Sequence, residues 1–230
     1  MVCLWLLVSS LHAKEVTATS WLVADGNGRI IDGENTQQVR SIASITKLVT
    51  VMTVVDANQP LDEKINQFTR AELIKLALVK SDNTAARQLC EHYPGGMVMC
   101  VAAMNDKVKS FGLSQTRFLE PTGLSVFNSS TAEDLMTIVM EAQNYKVINE
   151  ASSTSQDKIK LKKRWYTFHN TNPIIDSYHF LVSKTGYIRA AGGCVVMMLD
   201  TNAGRRIVIL LNSKNTRTRI PEAELLASRY

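Results

Sequence analysis

An α+β fold built on an antiparallel sheet is what the order of segments along this chain predicts. Three observations carry it: a β-prone hairpin near the start, a succession of helical patterns through the middle, and a late meander of short apolar runs closed by one more helix.

The hairpin comes first. Trp21 to Ala24 is apolar, Asp25-Gly26-Asn27-Gly28 is turn chemistry, and Arg29-Ile30-Ile31 resumes β-prone residues. Ser44 to Ala57 is apolar and free of glycine, which predicts a largely buried helix. Ala71 to Val79 predicts a second helix running up to Ser81, and Asp82 or Asn83 is placed to cap a third over Thr84–His92. That helix stops before Tyr93-Pro94-Gly95-Gly96, and Met97 to Phe111 is again helical, ending at Gly112. Ser130-Thr131-Ala132-Glu133 matches a capping box opening a helix to about Ala142. The tail then changes period. Phe180–Ser183, Gly193–Leu199 and Arg206–Asn212 are β-rich, with Asn202-Ala203-Gly204 as a turn between the last two, and Ile220–Ser228 reads as a terminal helix.

With 230 residues, 45% hydrophobic and 20% charged, the chain suits one globular domain with a sizeable core, assigned to residues 14–230. No apolar run approaches the roughly 18 residues of a transmembrane helix. Val2–Leu11 is mostly apolar, and Leu11-His12-Ala13 ends small before Lys14-Glu15. Residues 1–13 therefore read as the back half of a secretory signal cut after Ala13, lacking the basic start; a buried first strand or helix is the other reading. Of Cys3, Cys90, Cys100 and Cys194, removal of that segment leaves three. They read as buried free thiols, with a Cys90–Cys100 bridge in an oxidising compartment as the alternative. No C-x-x-C occurs, and His12, His92, His169 and His179 lack metal-ligand spacing, so the spacing points to no metal site.

The net charge of +5 is partly local: Lys158, Lys160, Lys162, Lys163 and Arg164 crowd around Ile159 and Leu161. This predicts an edge strand with one basic face, either a solvated, aggregation-resistant edge or an attractor for an anionic polymer. No DNA-binding motif or basic–aromatic interleaving accompanies it, so nucleic acid is not an expected partner.

Three short motifs carry the chemistry. Ser44-Ile45-Thr46-Lys47, Ser81-Asp82-Asn83 and Lys184-Thr185-Gly186 occur in the order S-x-x-K, S-x-N, K-T-G, the pattern of penicillin-interacting serine acyl-transfer enzymes. At a spacing of three, Ser44 and Lys47 share one helix face. A serine hydroxyl becomes nucleophilic when a base takes its proton, and Lys47 is such a base once burial and neighbouring cations favour its neutral amine. Ser81 is placed to relay a proton to the leaving amine, and Asn83 to hold Lys47 and the substrate backbone. Lys184 supplies positive charge near Ser81. Thr185 offers a hydrogen bond to a substrate carboxylate, and Gly186 lets a strand edge approach the ligand. The backbone N–H groups of Ser44 and Tyr187 would form an oxyanion hole, each donor worth about 3–4 kcal/mol in the transition state.

Beyond the motifs, Ser41-Ile42-Ala43-Ser44-Ile45-Thr46-Lys47-Leu48, His92-Tyr93-Pro94-Gly95-Gly96, Arg117 to Ser125 and Lys184 to Gly192 resemble the D-alanyl-D-alanine peptidase family, the low-molecular-mass penicillin-binding proteins, over most of residues 18–215. The nearest likeness is to the D-alanyl-D-alanine endopeptidase type. The resemblance implies a β-lactamase/transpeptidase-like fold: an antiparallel sheet flanked by helices, with an inserted helical subdomain at about 60–145. It implies a periplasmic or otherwise exported hydrolase without cofactor that cleaves D-Ala–diamino acid crosslinks in peptidoglycan stem peptides, and β-lactams that acylate Ser44. The stretch from Leu61 to Ser81 is shorter than usual in the family. The lack of a second β-domain after residue 215 favours the endopeptidase over the D-alanyl-D-alanine carboxypeptidase and argues against a C-terminal membrane anchor. Arg189 has no assigned role. Two remoter readings stand beside this one. A β-lactamase would carry Leu-Asn after the glutamate of Glu120-Pro121-Thr122-Gly123, and it is absent. A non-catalytic peptidoglycan-binding module fits the basic edge but has no use for three complete motifs.

Overall fold

In the two most apolar strands, alternate residues are buried on opposite sides. Ile207, Ile209 and Leu211 enter one core while Val208 and Leu210 enter another, and Cys194, Val196 and Met198 alternate in the same way with Val195, Met197 and Leu199. A strand buried on both faces reads as a continuous apolar run, and it must be central in a layered fold. The computed structural model describes residues 16–230; Cys3, His12 and the segment read as a signal lie outside them.

Strand β1 (Ser20–Asp25) and β2 (Ile30–Glu34) form the expected hairpin. The Asp25 carboxylate accepts from the N–H groups of Asn27 and Arg29, both at 3.0 Å, and Gly28 takes φ +82°. Short β3 (Arg40–Ser41) leads into a 3-10 turn at Ala43–Ile45 and helix α1 (Thr46–Asp56). Two-residue strands β4 (Lys64–Ile65) and β5 (Phe68–Thr69) pair before α2 (Arg70–Leu78), α3 (Asn83–Glu91) and α4 (Gly96–Ser110). Strand β6 (Ser129–Ser130) pairs with β3 and precedes α5 (Ala132–Ala142) and α6 (Lys146–Ser152). A separate hairpin, β7 (Gln156–Leu161) with β8 (Arg164–His169), stands apart from the main sheet. The late meander is β9 (His179–Ile188), β10 (Gly192–Thr201) and β11 (Gly204–Ser213), followed by α7 (Arg219–Arg229). The main sheet runs β2-β1-β11-β10-β9, antiparallel throughout. Helices α1 to α6 cover one face, and α7 covers the other. Among the described residues no helix is long and apolar enough to cross a membrane.

Four expectations need correction. The capping box is not at Ser130–Glu133: Thr131 caps α5 by accepting from the Asp134 N–H at 3.0 Å, while Glu133 accepts from the Thr36 hydroxyl at 2.6 Å. A complete box instead opens α2, where Thr69 and Glu72 satisfy each other's backbone N–H. The basic run is two strands rather than one, because Lys162 takes φ +53° and turns the chain at a lysine tip. Lys184-Thr185-Gly186 lies inside β9 rather than at a strand end. Finally, Cys90 and Cys100 are bonded, not free. The chain reverses through Gly95 and Gly96, both at positive φ, and brings the last turn of α3 against α4 with Cα atoms 5.3 Å apart. Closing a loop between cysteines ten apart in sequence contributes about 3 kcal/mol. Urea unfolding with and without reductant is expected to show that loss, and Cys90→Ala with Cys100→Ala is expected to reproduce it. Cys194 stays a buried thiol, its pKa pushed up to about 11 by burial.

Candidate active site

Ser44 sits in the 3-10 turn two residues before α1, and Lys47 lies one turn further on, so the S-x-x-K spacing puts both on the face toward the cleft. Ala43 is held at φ +47°, a conformation that costs a non-glycine residue about 1–3 kcal/mol and persists where the surroundings impose it. The Lys47 ammonium, fully buried, donates to Ser44 Oγ at 2.9 Å, to Asn83 Oδ1 at 2.7 Å and to the Thr122 carbonyl at 2.6 Å. Two of these partners are pure acceptors. A neutral amine keeps two N–H groups for them and turns its lone pair on the Ser44 hydroxyl, which satisfies every polar group and aims the base at the nucleophile. Burial favours that form: it brings the Lys47 pKa down to about 8, against the opposing pull of Glu120 and Asp82.

On the opposite wall, Ser81 takes φ +61° at the junction of α2 and α3. Its Oγ accepts from Lys184 Nζ at 2.9 Å, and Lys184 also donates to the Thr185 carbonyl at 2.8 Å. Lys184 is buried in mid-strand, and burial, then the charges of Lys47 and Arg219, push its pKa well below the ordinary lysine value. Asp82 caps α3 through the Ala85 N–H at 3.0 Å, which fixes Asn83 on the first turn toward Lys47. The Thr185 hydroxyl donates to Thr171 Oγ1 at 2.6 Å. The three motifs therefore meet: Ser44, Lys47 and Asn83 form one cluster, Ser81, Lys184 and Thr185 a second, and Asn83 and Ser81 join them through one turn. Tyr187, at the end of β9, is half exposed, and Arg189 is exposed. Among the described residues no three His, Cys, Asp or Glu side chains gather as a metal site requires.

Residues 8–66 and 61–215 match the serine peptidase family described as D-alanyl-D-alanine carboxypeptidase. The chain belongs to that family. It is 36% identical to a D-alanyl-D-alanine endopeptidase of Escherichia coli over 92% of its own length and 76% of the relative's, and 34% identical to one of Pseudomonas aeruginosa over 93% and 77%. Its fold matches penicillin-binding protein D2 of Listeria monocytogenes, solved in an ampicillin-bound form, with a TM-score of 0.83 at 24% identity, over 92% of this chain and 96% of that one.

Several residues that shape this D,D-peptidase site carried no assigned role in the sequence reading. Glu120 accepts from the N–H groups of Thr122 and Gly123 at 2.7 Å, from the Thr122 hydroxyl at 2.5 Å and from Asn128 at 3.0 Å. Burial pushes its pKa up, but the bonds from Thr122, Ser125 and Gly123 outweigh that and hold it below the ordinary value. The ionised carboxylate thus ties down the loop whose Thr122 carbonyl receives Lys47. Arg219 of α7 donates to the Gly186 carbonyl at 2.6 Å and so fixes β9 from the far layer. Gly186 meets a need within the protein as well: a Cβ there would meet Ile42 O and Ser44 N at 3.0 Å, so the glycine makes room for the nucleophile's turn. Gly123 is tighter still, at φ +84° with a Cβ position 2.0 Å from the Ala43 carbonyl oxygen. Gly123→Ala is expected to destabilise the peptidase by at least about 2–3 kcal/mol and to slow β-lactam acylation more than tenfold. Gly112→Ala is the control: φ is +79°, but nothing lies within 4 Å, so only the backbone cost of about 1 kcal/mol is expected and the labelling rate should not change.

Proposed function

We propose that this protein is an exported serine D,D-peptidase that opens D-Ala–diamino acid crosslinks of peptidoglycan through an acyl-enzyme on Ser44. The observation that carries the mechanism is the ring around Lys47, with two carbonyl acceptors and the Ser44 hydroxyl about one buried amine. Lys47 takes the Ser44 proton as Oγ attacks the D-Ala carbonyl carbon. The backbone N–H groups of Ser44 and Tyr187 receive the developing oxyanion. Ser81, polarised by Lys184, passes a proton to the departing amine, whose C–N bond breaks. The Ser44 proton held by Lys47 replaces the one Ser81 gave up, which leaves the amine neutral again; water then attacks the ester carbon as Lys47 takes its proton, the ester C–O bond breaks, and Lys47 returns that proton to Ser44 Oγ. Thr185 turns its O–H from Thr171 to the carboxylate flanking the scissile bond, and Asn83 braces Lys47 and the substrate backbone. A β-lactam follows the same first step and remains attached.

The endopeptidase reading rests on the two relatives so named, each more than one-third identical across most of this chain. The Cys90–Cys100 bond fits an oxidising compartment outside the cytoplasm, where this substrate lies. The family's own description favours a second reading, removal of terminal D-Ala from pentapeptides. Mass spectrometry after incubation with a crosslinked muropeptide dimer and with a pentapeptide monomer separates them. Conversion of the dimer to monomers supports the endopeptidase; loss of D-Ala from the pentapeptide alone makes the protein a carboxypeptidase. Ser44→Ala should leave both substrates untouched.

A further inference from the structure

The β7–β8 hairpin has a composition that the catalytic mechanism does not use. Its register places Lys158 opposite Thr167, Lys160 opposite Trp165 and Gln156 opposite His169. These residues share one face, and all of them are exposed, Trp165 at 60%. The other face buries Ile159 and Phe168 in the core. Lys158 Nζ stands 5.0 Å from the Trp165 ring centroid, and Lys162, Lys163 and Arg164 extend the charge around the tip. Folding thus brings Lys158 of one strand onto Trp165 of the other. Among the described residues, none of these five cations is ion-paired: Asp157 is taken by Lys75 and Glu150 by Lys146.

Protection of a strand edge accounts for lysines but not for a large indole left in water. An exposed aromatic flanked by unpaired cations fits a ligand with flat apolar faces and repeated negative charge. Position narrows the choice. The hairpin base is tied at two points to the cleft wall that carries Ser81 and Lys184: the Thr171 N–H, two residues past β8, donates to the Val79 carbonyl at 3.2 Å, and the Thr171 hydroxyl receives Thr185. Lys80, the neighbour of Ser81, lies 5.1 Å from the Tyr166 ring centroid. Tyr166 pairs with Ile159 on the face opposite Trp165, so these contacts place the hairpin as a whole beside the Ser81 side of the cleft, within reach of a polymer whose stem peptide enters it.

We propose that the outer face of the β7–β8 hairpin is a docking surface for the peptidoglycan polymer, with Lys158, Lys160 and the tip cations meeting the carboxylates of neighbouring stem peptides and Trp165 stacking on a sugar ring. This rests on the peptidoglycan reading above. Docking here raises the local concentration of crosslinks at Ser44 without taking part in bond cleavage, so it acts on the insoluble polymer and not on small fragments.

The test measures co-sedimentation of the Ser44→Ala protein with purified sacculi stripped of lipid and of attached anionic polymers, at low and at high salt. Lys158→Ser with Lys160→Ser, and separately Trp165→Ala, are expected to weaken sedimentation at least tenfold at low salt, and salt is expected to weaken the unsubstituted hairpin most. In the active background, the same variants should cleave a soluble muropeptide dimer within about twofold of the parent. Unchanged sedimentation of both variants overturns the proposal. So does stronger binding of the hairpin to phosphatidylglycerol vesicles or to a single-stranded oligonucleotide than to sacculi. If the parent fails to cleave the dimer, the endopeptidase reading falls, while sedimentation still reports on the hairpin.

Discussion

Ser44→Ala protein is expected to take up no β-lactam label at any time point, while its circular dichroism and melting temperature stay within a few degrees of the parent. The loss is complete because acylation needs an oxygen at that one position. Ser81 Oγ, the hydroxyl of the second motif, is held by Lys184 rather than by the Lys47 amine. The fold survives because Ser44 is only half-buried and gives up a single hydrogen bond, worth about 1 kcal/mol. Lys47 keeps Asn83 and the Thr122 carbonyl. Intact-mass measurement after incubation with penicillin reads the outcome directly. One equivalent of bound drug on the variant would remove Ser44 as the nucleophile, whereas loss of label with loss of fold would show the substitution to be structural.

How much of this was legible in the chain depends on where each contact originates. Ser44 and Lys47 are three apart, so a helical period alone puts them together. The order of three motifs then joins them to Ser81, Asn83 and Lys184 without any knowledge of their distances. The third acceptor of Lys47 is a backbone carbonyl, and a carbonyl has no residue type by which a sequence could announce it. Glu120 acts through backbone N–H groups in its own loop, so the sequence offered it only as the glutamate of a β-lactamase reading and not as the anchor of that loop. Arg219 reaches Gly186 from a helix 33 positions on, across the sheet. The Cys90–Cys100 bond was hidden by an odd cysteine count once residues 1–13 were set aside, whereas the Gly95-Gly96 reversal that makes it geometrically feasible was visible. The basic hairpin escaped because its turn carries Lys162 and Lys163 in place of the Gly, Asn or Asp that marks such turns. The central strands, by contrast, were plain, since burial on both faces leaves nothing but apolar residues to read.

Lys47→Met carries the second large effect, and its pH dependence makes it diagnostic. Removing a general base that acts in the rate-limiting proton transfer is expected to lower the second-order rate of β-lactam acylation by roughly 10²–10⁴. In the parent, only the neutral amine accepts the Ser44 proton, and the Lys47 pKa lies at about 8. Acylation is therefore expected to rise with pH and level off above about 8, and Lys47→Met should erase that acid limb. Stability has its own sign. The folded amine titrates at about 8 against 10.5 for an ordinary lysine, so between those values the unfolded chain binds more protons and stability rises with pH. Below about 8 the penalty for burying the charge is present in full, about 3 kcal/mol. Methionine fills the same space and removes that penalty, but it leaves Asn83 Oδ1 and the Thr122 carbonyl without a donor at about 1–3 kcal/mol each. The two effects nearly offset at neutral pH, so the variant should melt within a few degrees of the parent while its acylation collapses. An acid limb that persists in Lys47→Met would assign the titrating base elsewhere, with the buried Lys184 beside Ser81 the next group to replace.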